Sequence, residues 1–239
     1  MSDDSDTRRE AGYAMSHGIW LEKAGDVEGA RESYERAIAL GRPDTAPMAT
    51  VNLGILLAEN GDPDGALAAL RQAADSDHPD AAPMAALNMS MLLHKRGDLD
   101  AARAALQRAI DSGHPGFVPE AAFALGSLLF DQGDLEGAHE AYQRVIDSGS
   151  AELAPQAAFN LGVQLKRQGR FAEARTAYEY AINSGHRESA PMAAVNLGVL
   201  LTQEGDIEAA RAAYEQAVHF NHPEISAHAR NMLADLPKT

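Results

Sequence analysis

Residues 83–118 read PMAALNMSMLLHKRGDLDAARAALQRAIDSGHPGFV, and how this stretch divides decides the fold. Its first half carries apolar side chains at Met84, Leu87 and Met91, with Met89, Leu92 and Leu93 on a second face. Spacing by threes and fours is that of a helix. Gly97 stops this segment and Asp98 restarts the chain. The second half repeats the spacing at Leu99, Ala102, Leu106, Ala109 and Ile110. Gly113 stands where a helix ends, and His114-Pro115 blocks continuation. The unit is therefore helix A, a tight turn, helix B and a short connection. No segment alternates with the period of a strand, and no Asn-Gly hairpin occurs.

The same unit recurs in both directions. Pro47, Pro83, Pro119, Pro155 and Pro191 are each 36 residues apart, as are Gly25, Gly61, Gly97, Gly133, Gly169 and Gly205. A fixed period of this length means stacked helical units in which each touches only its neighbours, so the sequence predicts one body without a central core. Six pairs fit, over about 11–46, 47–82, 83–118, 119–154, 155–190 and 191–226. Helix A is expected to begin near residues 11, 46, 82, 118, 154 and 190. The remaining segment, about 224–236, has the helix A pattern without a following B and reads as a capping helix. Residues 1–9 are polar and acidic and are expected to be disordered, leaving a single domain over 10–236.

Composition narrows the function. Of 239 residues 45% are hydrophobic, enough for an ordered fold, yet only 5% are aromatic, so small side chains must let helices approach closely. There is no cysteine, which removes disulfides, thiolate metal sites and cysteine nucleophiles. The N-terminus lacks the basic and apolar regions of a signal peptide, and no stretch has the length of an apolar membrane span, so a cytoplasmic location is expected. A net charge of −15 argues against nucleic acid and anionic lipid as partners. Much of that charge has a local purpose. Asp26, Asp62, Asp98, Asp134 and Asp206 each follow the turn glycine, placed to cap helix B, and each has a second acid two residues later near its positive end.

With the unit defined, the sequence resembles the tetratricopeptide repeat (TPR) family over about residues 11–236. The resemblance rests on Leu-Gly at Leu53-Gly54, Leu125-Gly126, Leu161-Gly162 and Leu197-Gly198, with Ala66, Ala138, Ala174 and Ala210 twelve residues after each glycine. Four residues further on stand Leu70, Tyr142, Tyr178 and Tyr214, and Pro43, Pro79, Pro115 and Pro223 mark the connections. The period is two residues longer than the family's usual 34, and Thr50, Ala86, Ala122, Ala158 and Ala194 replace an early helix A tryptophan. Sel1-like repeats have a similar period, but their glycine pair in the inter-helix turn is missing. The resemblance implies an all-α, right-handed solenoid of six helix-turn-helix repeats plus the capping helix, with the A helices lining a concave groove.

That groove would be built from Met48, Val51, Asn52 and Ile55, then Met84, Leu87, Asn88 and Met91, then Glu120, Phe123 and Ser127. Gln156, Phe159, Asn160 and Val163 follow, then Met192, Val195, Asn196 and Val199. Such an apolar stripe either is an exposed binding patch, for which methionine is well suited, or packs against adjacent A helices. Asn52, Asn88, Asn160 and Asn196 hold one register position in four helices, although asparagine is a poor helix former. A row of carboxamides can pair with the backbone of an extended peptide, or can hydrogen-bond a neighbouring helix. Ser16 and Ala124 interrupt the row. The carboxylate clamp of some TPR proteins is not expected, because Val51, Leu87, Phe123 and Phe159 occupy its cationic positions; Lys95, Lys166 and Arg167 lie toward the helix ends. The fourth repeat is atypical at Ala124, Phe130 and Gly116-Phe117.

Catalytic constellations are lacking. His78, His114, His186 and His222 recur at the connections, a repeat apart and too far to share a metal, and read as part of the turn. No HExxH, phosphate-binding loop or Ser-His-acid set occurs, and acid pairs such as Asp98/Asp100 sit at helix caps. The expectation is a non-enzymatic scaffold without cofactor or metal, holding an extended segment of a protein partner. Asn52, Asn88, Asn160, Asn196, Met84, Leu87, Met91, Phe123, Phe159 and Val163 are the expected contacts. Homo-oligomeric self-assembly and peptide-sensing regulation are the alternatives.

Overall fold

A computed structural model describes residues 2–237, and among them thirteen α-helices and no strand are formed. The A helices are α1 (Ser2–Lys23), α3 (Ala46–Glu59), α5 (Ala81–Lys95), α7 (Val118–Gln132), α9 (Leu153–Arg167) and α11 (Ser189–Glu204). The B helices are α2 (Val27–Ala39), α4 (Pro63–Ala74), α6 (Leu99–Asp111), α8 (Leu135–Asp147), α10 (Phe171–Asn183) and α12 (Ile207–His219), and α13 (Ile225–Asp235) follows. Five of the six A helices start within one residue of the expected position. The chain divides into two compact units, 1–121 and 122–239. In repeats that touch only their neighbours, nothing but local packing joins distant parts of the chain.

Within each unit the hairpins pack as consecutive pairs. In the first, α1 lies on α2, α3 on α4 and α5 on α6, while α2 meets α3, α4 meets α5, and α3 touches α5. In the second, α9 pairs with α10 and α11 with α12; α8 meets α9, α10 meets α11, and α13 covers α12 and part of α11.

Five of the six hairpins close on one contact. A glycine of helix A faces a large side chain sixteen residues on, in helix B: Gly18 with Tyr34, Gly54 with Leu70, Gly126 with Tyr142, Gly162 with Tyr178 and Gly198 with Tyr214. A Cβ on Gly162 would stand 2.5 Å from the Tyr178 ring, and one on Gly198 the same distance from Tyr214. The four tyrosines are among the largest fully buried side chains of the protein. Alanines such as Ala30, Ala66, Ala138, Ala174 and Ala210, all fully buried, allow the close approach elsewhere along the pair.

The turns follow the sequence in most copies. Asp26, Asp62, Asp134 and Asp206 accept the backbone N–H three residues on with a side-chain oxygen, satisfying a donor that a helix start leaves open. Asp98 occupies the same cap without a side-chain bond, and in the fifth repeat Arg170 stands there, paired with Glu173 at 2.6 Å. The glycine before each cap takes a left-handed backbone, as Gly97 does at φ 78°.

Two expectations need correction. The first is the disordered N-terminus, since α1 runs back to Ser2. Its start is tied to α2 and the connection that follows it: Arg8 pairs with Asp44 at 2.6 Å, Asp4 with Arg42, and Glu10 with Arg36 at 2.6 Å. The Arg8 guanidinium holds the Asp44 carboxyl below its usual range. The second concerns the connection histidines, which do more than mark the turn. Nδ1 of His78, His114, His186 and His222 accepts a backbone N–H from Ala81, Gly116, Ser189 and Ile225 respectively, at 3.1–3.4 Å. A ring nitrogen that accepts leaves its proton on the other. In three of the four that other nitrogen, Nε2, faces an acid 34 residues earlier: His114 with Asp80 at 2.9 Å, His186 with Glu152 at 3.3 Å, and His222 with Glu188 at 3.0 Å.

The glycine–ring contact yields a paired prediction. Gly162→Ala should lower the denaturant midpoint, overpacking by about 1–3 kcal/mol. Gly12→Ala meets nothing within 4 Å, so it should be neutral or stabilising by up to ~1 kcal/mol. Equal behaviour of the two variants in urea titrations would show that the contact is slack.

Candidate functional site

The residues expected to line a groove fall into three classes of exposure. Val51 is fully buried and Val195 nearly so, which removes both from any binding face. Asn52, Asn88, Asn160, Asn196, Met84, Leu87, Phe123, Phe159 and Val163 are half-buried. Met91 alone among the expected contacts is open, at 53% exposed. The apolar stripe is thus partly taken up by packing between helices and partly available.

The structure shows what the packing share is. Phe123 meets Tyr142 edge-on with ring centres 6.0 Å apart, and Phe159 lies 6.4 Å from Tyr178. Both rings back the buried tyrosine of their own repeat. Nδ2 of Asn88 donates to the Met84 carbonyl at 2.8 Å, and that of Asn196 to the Met192 carbonyl at 3.2 Å. These are bonds one turn back along the same helix, rather than to a neighbouring helix. They occupy one donor hydrogen and leave the carboxamide oxygen. Asn160 differs, being hydrogen-bonded to the Tyr142 hydroxyl of the preceding repeat.

A recess lies on the A-helix face of each unit. In the first, Ile55, Leu70, Asn88, Met91 and Lys95 line an open cleft of about 210 Å³, uniting two of the expected contacts. In the second, Phe123, Phe159 and Asn160 meet Gln156, Met192 and His186 around a cleft of similar size. A third, of about 340 Å³, lies on the B-helix side among α8, α9 and α10, lined by His139, Ile146, Leu165 and Tyr180. It was not anticipated, because its residues belong to different helices and share no register position.

Sequence reasoning also missed an aromatic stack on α1. Tyr13, His17 and Trp20 follow one helix face, with ring centres 5.7 and 6.0 Å apart. Tyr13 is 71% and Trp20 63% exposed. Their spacing of four and three was the available signal. Of the cations near the helix ends, Arg167 lies over the Phe130 ring at 5.0 Å, and burial lowers the Lys166 ammonium below its usual range. Among the described residues, no group of three or more histidines and acids could hold a metal ion, and no helix is long and apolar enough to cross a membrane.

The buried tyrosines differ in how their hydroxyls are satisfied. Tyr34 donates to Glu22 at 2.5 Å and Tyr142 to Ser127 at 3.2 Å, while the hydroxyl of Tyr178 is buried without a partner. Burial, chiefly, pushes all three phenols above the ordinary range; Glu22 adds to the effect at Tyr34.

Comparison with known proteins agrees with this architecture. The model of the tetratricopeptide repeat-like domain matches residues 42–166, and that of the tetratricopeptide repeat matches residues 159–224. The chain belongs to the tetratricopeptide repeat family. No curated protein sequence matches it. Among solved structures it is similar to MamA, at 21% identity over 75% of this chain and 93% of that one, with a TM-score of 0.59. A MamA fragment from Desulfovibrio magneticus RS-1 aligns at 17% identity over 74% and 96%, with a TM-score of 0.57. YrrB, described as a TPR protein with an unusual peptide-binding site, aligns at 20% identity over 84% and 99%, with a TM-score of 0.61. These likenesses define a shared fold, and the family's repeats are protein-interaction modules.

The raised phenols give a prediction about alkali. A group whose folded pKa exceeds its unfolded value contributes stability that is present below the unfolded value, about 10 for tyrosine, and is lost as pH rises beyond it. Tyr34, Tyr142 and Tyr178 should therefore ionise together with loss of helix above about pH 10. Absorbance at 295 nm followed alongside circular dichroism checks this, and tyrosinate forming there with helix intact would contradict it.

Proposed function

We propose that the protein is a non-enzymatic scaffold whose A-helix faces bind extended segments of a protein partner, each unit offering its own recess. The observation that carries this reading is the arrangement at Asn88. Asn88 and the open Met91 side chain line the same cleft, and the bond from Nδ2 to Met84 leaves the carboxamide oxygen to take a backbone N–H beside an apolar contact. The second unit supports it with Asn160 beside Phe123 and Phe159. That YrrB is described as having a peptide-binding site on the same fold adds weight. A net charge of −15 favours a protein partner over nucleic acid.

Self-assembly is a second reading, favoured by the exposed Tyr13–His17–Trp20 stack, since an aromatic face of that kind is costly to leave in water. Sedimentation of the wild type against Trp20→Ala separates the two: association that this variant abolishes supports assembly.

For peptide binding, short linear peptides selected from a random display library would be titrated against wild type, Asn88→Ala and Asn160→Ala. Affinity should fall by ~1 kcal/mol, about fivefold, for peptides bound at the altered unit, with melting little changed. Failure to select any peptide, or parallel losses of stability and affinity, would refute the reading.

A further inference from the structure

We propose that the cleft of the first unit is a receptor pocket for the tyrosine side chain of a partner peptide, shaped by the presence of Leu70 where four other repeats carry tyrosine. This rests on, and sharpens, the reading of the A-helix face as peptide-binding. Repeats one, four, five and six fill this register position with Tyr34, Tyr142, Tyr178 and Tyr214. In repeat two the shorter Leu70, 1% exposed, reaches the same glycine but has no ring beyond it. An open cleft of about 210 Å³ remains, with Leu70 in its wall.

The walls identify what is missing. In repeat one the phenol hydroxyl bonds Glu22, whose register position in repeat two is Ala58. In repeat four it bonds Ser127, whose counterpart is Ile55, and it also bonds Asn160, whose counterpart is Asn88. Ala58, Ile55 and Asn88 all line the empty cleft. Three positions that receive a tyrosine hydroxyl elsewhere in this chain thus surround a space without one. Two of them, Ala58 and Ile55, are apolar, so Asn88 is the group left to bond an incoming hydroxyl. The mouth carries Glu59 and Lys95, one charge of each sign, which suits a neutral phenol better than a phosphorylated one. Met91 is free to fold over the bound ring.

The test uses the full chain with labelled Met and Ile methyl groups, followed by NMR during titration with N-acetyl-Ala-Tyr-Ala-amide, its Phe counterpart and its Ala counterpart. The Met91 and Ile55 methyls should shift saturably with the tyrosine peptide, about fivefold more weakly with the phenylalanine one, and not with the alanine one. Asn88→Ala should erase the preference for tyrosine over phenylalanine. Leu70→Tyr, which restores the filling used by the other repeats opposite a glycine, should fold as well as wild type and abolish the shifts. A wild type that shows no saturable shift, or a Leu70→Tyr variant that still binds, overturns the pocket. Library peptides that bind through Asn88 yet ignore Leu70→Tyr overturn the pocket alone, whereas the absence of both library binders and a saturable tyrosine shift overturns the pocket and the broader peptide-binding reading together. If the wild type self-associates and both Leu70→Tyr and Tyr13→Ala disperse it, the occupant is a second copy and the partner-peptide proposal fails.

Discussion

The close approach of helix A to helix B depends on a glycine that meets a ring. Gly18, Gly126, Gly162 and Gly198 each sit inside a helix, where glycine costs about 1 kcal/mol relative to alanine. They are tolerable because no larger residue leaves room for the tyrosine opposite. The consequence runs through the repeat. A ring lodged in that gap carries its hydroxyl to helix A, where that of Tyr34 bonds Glu22 and that of Tyr142 bonds Ser127. Phe123 and Phe159 then pack on the rings and become half-buried. The same contact that holds the hairpin shut thereby sets how much apolar surface remains on the face outside.

This explains why the candidate binding residues are neither core nor plain surface. A stripe of methionine, phenylalanine, valine and asparagine serves two purposes at once, and its residues divide according to what lies behind them. Val51 has gone wholly to the core. Asn88 gives one hydrogen to its own helix and keeps an oxygen. Met91, with nothing on its outer side, stands open. In the first unit an open methionine and a leucine in the ring position line one cleft.

Much of the fold was legible from residues 83–118 because periodicity, a glycine stop and an aspartate restart are local signals. Helix starts such as Ala46 and Val118 follow from them directly. What the chain concealed depends on contacts between distant residues. The first turns of α1 look polar and uncommitted, and only the pairing of Arg8 with Asp44 and of Asp4 with Arg42 shows why they are helical. The histidines looked like turn punctuation because their acceptor role appears only with the backbone geometry in hand. The asparagine row was visible, but its bonds were not, since a carboxamide can turn to its own helix, to a neighbour or outward with equal ease. What Leu70 leaves open in the tyrosine register shows only when the walls around it are compared with those around Tyr34 and Tyr142.

The capping imidazoles tie the repeats together in a way that constrains how such a chain can have grown. Each of His114, His186 and His222 steadies the start of one helix pair while leaning on an acid contributed by the pair before it. A duplication or loss of whole 36-residue blocks keeps the imidazole and acid positions in register, with Gly116 and Ser150 the one place where neither is present. A breakpoint that moved an acid without its histidine would strand a cap. Lengthening or shortening this lineage is therefore easiest in complete multiples of the unit, which is the only step size the sequence displays from Gly25 to Gly205.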